Sequence, residues 1–81
     1  MANTITQWKP QVTVNGQTTQ FKSYAEIKRN MSLLLDRSIV GGNVQAQVSV
    51  SRSKRGEWGE WFEVWQYNNK HKPVIINQGW M

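Results

Sequence analysis

Between Trp58 and Tyr67 the chain reads WGEWFEVWQY, with five large aromatic side chains in ten residues. An extended strand sends successive side chains to opposite faces. Phe62 and Val64 therefore share one parity, while Trp61, Trp65 and Tyr67 share the other. A half-buried strand needs apolar residues on one face only, and this segment carries them on both. A sheet built around it must have both faces covered, or one face left for a partner. With 81 residues in all, the chain has enough material to cover one.

That length makes one small basic domain spanning residues 1–81, with no room for two cores. At 38% hydrophobic and 19% charged residues, the composition is that of a folded domain rather than a disordered one. There is no cysteine, so the fold has neither a disulfide framework nor a thiolate metal site. The opening MANTITQWKP lacks the basic and apolar regions of a signal peptide. The longest apolar runs, Leu33–Leu35 and Val74–Ile76, fall far short of the roughly 20 residues of a membrane span. A cytoplasmic location with no membrane partner is the expectation. Ten Lys/Arg against five Asp/Glu give a net charge of +5, which favours anionic partners.

Alternation of Val12 and Val14 with polar neighbours, followed by Asn15-Gly16, predicts a hairpin over Gln11–Phe21 closed by a type I′ turn. It pairs Val14 with Gln17, Val12 with Thr19 and Pro10 with Phe21, and puts Trp8 on the core face. Ser23 and Glu26 form a capping box. The helix it opens carries Tyr24, Ile27, Met31, Leu34 and Leu35 on one face, leaves Leu33 outside it, and stops before Gly41-Gly42. Val44, Ala46, Val48 and Val50 alternate with polar residues across Asn43–Ser53, the clearest strand in the chain. A strand over Trp58–Tyr67 and another from about Pro73 complete the order β-β-α-β-β-β. The expected fold is α+β, an antiparallel sheet with a single helix packed on one face.

Two turns compete to join the valine strand to the tryptophan strand. A three-residue loop, Lys54-Arg55-Gly56, pairs Val48 with Phe62 and sends Phe62 and Val64 to the core. A two-residue loop, Gly56-Glu57, pairs Val48 with Trp65 and sends Trp61, Trp65 and Tyr67 there instead. The second register places Glu63 on the core face at mid-strand, where an unpaired carboxylate costs several kcal/mol. The first is favoured on that ground. A one-residue slip separates the two and turns every side chain over.

In the first register Trp61, Trp65 and Tyr67 form an exposed row beside Gln45, Gln47, Ser49 and Ser51. Arg52, Lys54 and Arg55 lie at one end of the row, and Lys70 and Lys72 at the other. Eight strand residues at about 3.3 Å each separate the basic ends by roughly 25 Å, which about four or five nucleotides of a single strand span. Stackable rings between cationic ends suit nucleic acid, single strands before duplexes. The expected interface is Trp61, Trp65, Tyr67, Gln45, Gln47, Arg52, Lys54, Arg55, Lys70 and Lys72. Trp, Tyr and Arg also favour protein interfaces. The alternative is therefore a protein-interaction module, either a homodimer through the tryptophan-rich face or a regulator of an acidic protein.

Catalysis and cofactors are not expected. His71 is the only histidine and has no second ligand at metal spacing. Glu60 and Glu63 point to opposite faces of a strand, a poor acid–base pair. Gly41-Gly42 follows a helix, whereas a phosphate-binding loop precedes one.

Overall fold

Asn15 and Gly16 both have positive φ, 51° and 82°, as a type I′ turn requires. They join β1 (Gln11–Val14) to β2 (Gln17–Gln20) in the register read from the sequence: Val14 faces Gln17 and Val12 faces Thr19. The Phe21 N–H donates to the Pro10 carbonyl at 2.9 Å, so the pairing extends to the residue that cannot itself donate. The computed structural model describes residues 10–43, 45–53 and 60–80. Trp8, Val44, Trp58 and both candidate turns, Lys54-Arg55-Gly56 and Gly56-Glu57, lie outside the described residues.

The helical segment is in two pieces, α1 (Tyr24–Arg29) and α2 (Met31–Ser38), divided at Asn30. The Asn30 side chain donates to the Glu26 carbonyl at 2.8 Å, and its backbone N–H reaches the same carbonyl at 3.2 Å. This local bonding by an Asn side chain competes with a regular helical turn. Both pieces still present one apolar face. Ile27, Met31, Leu34 and Leu35 are buried on it, and Leu33 is exposed as expected. Ser23 Oγ accepts from the Glu26 N–H at 3.2 Å, which is half of the capping box. Glu26 Oε1 reaches the Lys22 N–H at 3.1 Å, one residue beyond the expected return. Gly41 and Gly42, both at positive φ, follow the helix end.

The expected strand over Asn43–Ser53 begins only at Val48, as β3 (Val48–Ser53). Asn43 Oδ1 accepts from the Gln45 N–H at 3.2 Å, and the Ala46 N–H reaches the Asn43 carbonyl at 3.1 Å. Such an Asn-centred turn removes the first residues from the ladder. The β4 strand (Glu60–Tyr67) and the β5 strand (Pro73–Trp80) follow. All pairings are antiparallel, in the order β2-β1-β3-β4-β5. The helices carry the chain over the sheet from edge strand β2 to the centre. The fold is thus α+β in the expected order, with one helix replaced by two. No helix among the described residues is long and apolar enough to cross a membrane.

The register of β3 against β4 overturns the expectation. Val48 faces Trp65, Val50 faces Glu63 and Ser51 faces Phe62. Trp65 and Tyr67 join the core beneath the helices with Val12, Ile27, Leu35 and Val48. Phe62 and Val64 face the other way and are half-buried. The case against this register was the cost of burying Glu63, and that cost applies to an unpaired carboxylate. Glu63 is only 3% exposed, but each of its oxygens accepts two side-chain hydrogen bonds. Tyr24 Oη and Trp65 Nε1 donate to Oε1, the latter at 3.1 Å. Arg52 Nη2 at 3.3 Å and Trp61 Nε1 at 3.1 Å donate to Oε2. Four donors, one of them cationic, offset the desolvation, and the register that buries the rings is the one adopted.

Candidate nucleic-acid interface

The ten residues expected at the interface fall in three places. Trp65 and Tyr67 are each 8% exposed and belong to the core. The Tyr67 hydroxyl lies 2.6 Å from Asp36 Oδ1 and 2.9 Å from the Ser32 carbonyl, which ties the end of β4 to α2. Trp61 is half-buried and meets Trp80 edge-on, with ring centroids 5.0 Å apart. The exposed row of three rings therefore does not exist, and neither does a homodimer surface built on it. Hydrogen-bonded burial around Glu63 has turned the rings inward.

Arg52 is also drawn inward. It pairs with Glu63, and its guanidinium lies over the Tyr24 ring at 3.9 Å. Its Nε is buried without a hydrogen-bond partner. Lys54 and Arg55 lie outside the described residues.

Gln45, Gln47, Lys70 and Lys72 are exposed. The Asn68 side chain organises the β4–β5 turn. Its Oδ1 accepts from the Lys70 N–H at 2.9 Å and the Lys72 N–H at 3.0 Å. His71 takes φ 60° in this turn, stacks on the Tyr67 ring at 3.9 Å and places Nε2 4.0 Å from Asp36 Oδ1. Gln47 Nε2 donates to Gln66 Oε1 at 3.1 Å across the sheet. A cleft of about 470 Å³ lies beside the turn, lined by Gln45, Gln66, Tyr67, Asn68, Asn69 and His71. Lys70 and Lys72 belong to the same turn as Asn68, Asn69 and His71, which line this amide-rich cleft. Gln66, Asn68 and Asn69 were missed in the sequence; the Asn68-Asn69 pair after a strand was a signal for a turn held by side-chain amides.

Charge is distributed unevenly between the two signs. Glu63 is consumed internally by Arg52, Glu26 by the helix N-terminus, and the exposed Asp36 by Tyr67. Lys22, Lys28, Arg29, Arg37, Lys70 and Lys72 are all exposed. Burial pushes the Glu63 carboxyl up, but hydrogen bonds from Tyr24, Trp65 and Trp61 and the Arg52 charge bring it below its ordinary 4.5. The Tyr24 hydroxyl is pushed up to about 12 by burial and by the Glu63 carboxylate it donates to. Burial, then Asp36, also raises Tyr67. These groups are committed to the fold: Glu63 stays ionised and the two phenols stay neutral through the physiological range.

Comparisons with protein-family models, with curated proteins and with solved structures returned no match.

Proposed function

We propose that the chain is a non-catalytic nucleic-acid-binding module led by phosphate contacts. The observation that carries this is the outward charge: Glu63, Glu26 and Asp36 are engaged within the fold, so that among the described residues Glu60 stands exposed against six exposed lysine and arginine side chains. Such a surface attracts a polyanion and releases its counterions. Lys70 and Lys72 would neutralise phosphates, and the amides of Gln45, Gln47, Gln66 and Asn69 would make adaptable hydrogen bonds to sugar, phosphate or base edges. With Trp65 and Tyr67 in the core, base stacking has no row of rings to use. The expected binding is therefore tolerant of sequence and dominated by salt.

The experiment is anisotropy of labelled single-stranded and duplex oligonucleotides across a salt series. Binding should be measurable at about 50 mM salt and fall linearly on a log–log plot. Each phosphate contact contributes a slope of about 0.9 on duplex and about 0.7 on single strands, so Lys70→Ala/Lys72→Ala should flatten it by roughly 1.4–1.8. Absence of binding to either form at low salt overturns the proposal. Competition between the two forms decides which is preferred. Quenching of the buried Trp65 is not expected on binding.

A further inference from the structure

His71 sits in the β4–β5 turn with φ 60°, a left-handed conformation uncommon outside glycine. The turn fixes it there. The Asn68 N–H donates to the Lys72 carbonyl at 2.9 Å, the His71 N–H donates to the Asn68 carbonyl at 3.0 Å, and Asn68 Oδ1 takes the two lysine N–H groups. The result is an imidazole laid flat on Tyr67, with 3.9 Å between ring centroids and 17° between planes. Tyr67 is buried, while the His71 side chain is 71% exposed. One face of the imidazole is therefore covered by a ring that the core holds in place, and the other is open. A backbone held in a sparsely populated region to set a side chain in position points to a use for that side chain.

The cleft of about 470 Å³ beside this stack falls within the roughly 300–1,000 Å³ of small-ligand sites. Four side-chain amides and the two rings line it, with no carboxylate, ammonium or guanidinium among them. The amides of Gln45 and Asn69 make no hydrogen bond among the described residues, and Gln66 commits only its Oε1, to Gln47. A side-chain amide offers a donor and an acceptor side by side. The cations are outside the lining, on Lys70 and Lys72 of the same turn. Asp36, 4.0 Å from His71 Nε2, would repel a phosphate placed on the imidazole itself.

The matching ligand is flat, uncharged where it meets the ring, edged with donors and acceptors, and negatively charged a short distance away. A nucleobase on its sugar–phosphate meets all four conditions. Unpaired bases stack on His, Phe, Tyr or Trp side chains and are hydrogen-bonded along their edges.

We propose that the β4–β5 cleft takes one unpaired nucleobase, stacked on the open face of His71 and hydrogen-bonded by Gln45, Gln66 and Asn69, with its phosphates towards Lys70 and Lys72. This rests on the nucleic-acid reading above and narrows it: the strand is single at this point, and one base rather than a row is stacked.

His71 is the only histidine, so its ring protons are unambiguous in the NMR spectrum of the full chain. At fixed pH and about 50 mM salt, oligo-dA should move them upfield through the ring current of the stacked base. An abasic strand of equal length, which keeps the phosphates, should not. By anisotropy, oligo-dA should bind about 5- to 150-fold tighter than the abasic strand, the contribution of one stacked base. His71→Gly deletes the ring and accepts the positive φ at no steric cost. It should bring the two affinities together, with the far-UV circular dichroism of the wild type. Strands that bind equally with the His71 signals unmoved overturn the base site and leave the phosphate-led function standing. Adenosine monophosphate that moves the His71 signals upfield, with no strand bound, supports the base site and overturns the proposed function. No shift and no binding with any of the three probes overturns both.

Discussion

On the inner face of the sheet, Glu63 is 3% exposed and accepts hydrogen bonds from Tyr24, Trp61, Trp65 and Arg52. On the outer face, one residue along the same strand, Phe62 and Val64 stand half-buried beside a row of serines. Sequence composition would assign these roles the other way round, with the carboxylate outside and phenylalanine and valine inside. The inner face can hold a charge because the same register delivers its partners: Trp61 and Trp65 flank Glu63 at i−2 and i+2, Arg52 lies on the neighbouring strand, and α1 supplies Tyr24. The outer face can leave a phenylalanine half-buried because the nine residues of the core cluster already fill the space beneath the helices. Polar groups on the inner face are there for the fold. Those on the outer face pair with one another at the surface, as Thr13 does with Thr18 and Gln47 with Gln66.

The sharpest way to break this contrast is Glu63→Ala. Removal of the carboxylate leaves Arg52 as an uncompensated, largely buried charge and leaves two indole N–H groups and a phenol without their acceptor. A broken buried pair costs about 3–5 kcal/mol, a large share of the stability of about 5–15 kcal/mol available to a small domain. Urea denaturation should show the variant at or near unfolding. Glu63→Leu/Arg52→Met, which removes both charges and fills the space, should recover much of the loss. A loss below about 1 kcal/mol for Glu63→Ala would mean that the hub does not hold the inner face together.

The same hub sets the pH limits of stability. The Glu63 carboxyl is depressed below 4.5 in the folded state, so between its folded and unfolded values the unfolded chain binds more protons. Its contribution is present in full above about pH 4.5 and is lost as pH falls through the folded value. Tyr24 acts at the other limit. With its hydroxyl at about 12 rather than 10.0, the unfolded chain loses its proton first, and stability falls as pH rises from about 10 towards 12. Denaturant midpoints should therefore be level between these limits, and Tyr24→Phe should flatten the alkaline decline.

Much of the scaffold was legible in the sequence because its signals are local. Asn15-Gly16 set the first hairpin and its register. The spacing of Ile27, Met31, Leu34 and Leu35 marked the helical face. Side-chain bonding at Asn30 and Asn43 then altered element lengths in ways that periodicity cannot report. The β3–β4 register was not legible, since it depends on a contact between Tyr24 and Glu63 across 39 positions of chain. Hydrophobic parity was ambiguous there by construction, and the deciding term, whether a buried carboxylate finds donors, is a property of the assembled fold. The candidate site divided on the same line. Exposure of Lys70 and Lys72 in a turn followed from local sequence, whereas the exposure assigned to Trp65 and Tyr67 rested on the wrong register.

A smaller effect tests the outer face. Phe62→Ala removes a half-buried ring from a surface that contributes little to the core. Full burial of such a side chain contributes about 1.5–3 kcal/mol, so the half-covered ring should cost the monomer roughly 1 kcal/mol. Trp65→Ala, on the same strand but the inner face, should cost about 3–5 kcal/mol. Equal losses at the two positions would show that both faces are built for the fold, and would erase the contrast between them.

The smallest effect is expected where polar groups meet on the outer face alone. Thr13 Oγ1 and Thr18 Oγ1 lie 2.9 Å apart across the β1–β2 hairpin, directly opposite in the register. A cross-strand hydroxyl pair of this kind contributes about 0.2–1 kcal/mol, because water replaces the lost partner on an exposed surface. Thr18→Ala should therefore shift the urea midpoint only slightly and leave the denaturant slope unchanged. Its value lies in the contrast with Glu63→Ala, since each change deletes a side-chain hydrogen-bond partner from the same sheet. If the threonine change costs as much as the glutamate change, solvent access is not what separates the two faces, and the inner hub has no special role. If the costs differ as expected, the energetic difference between the faces comes from water being able to replace a partner on one of them and not on the other.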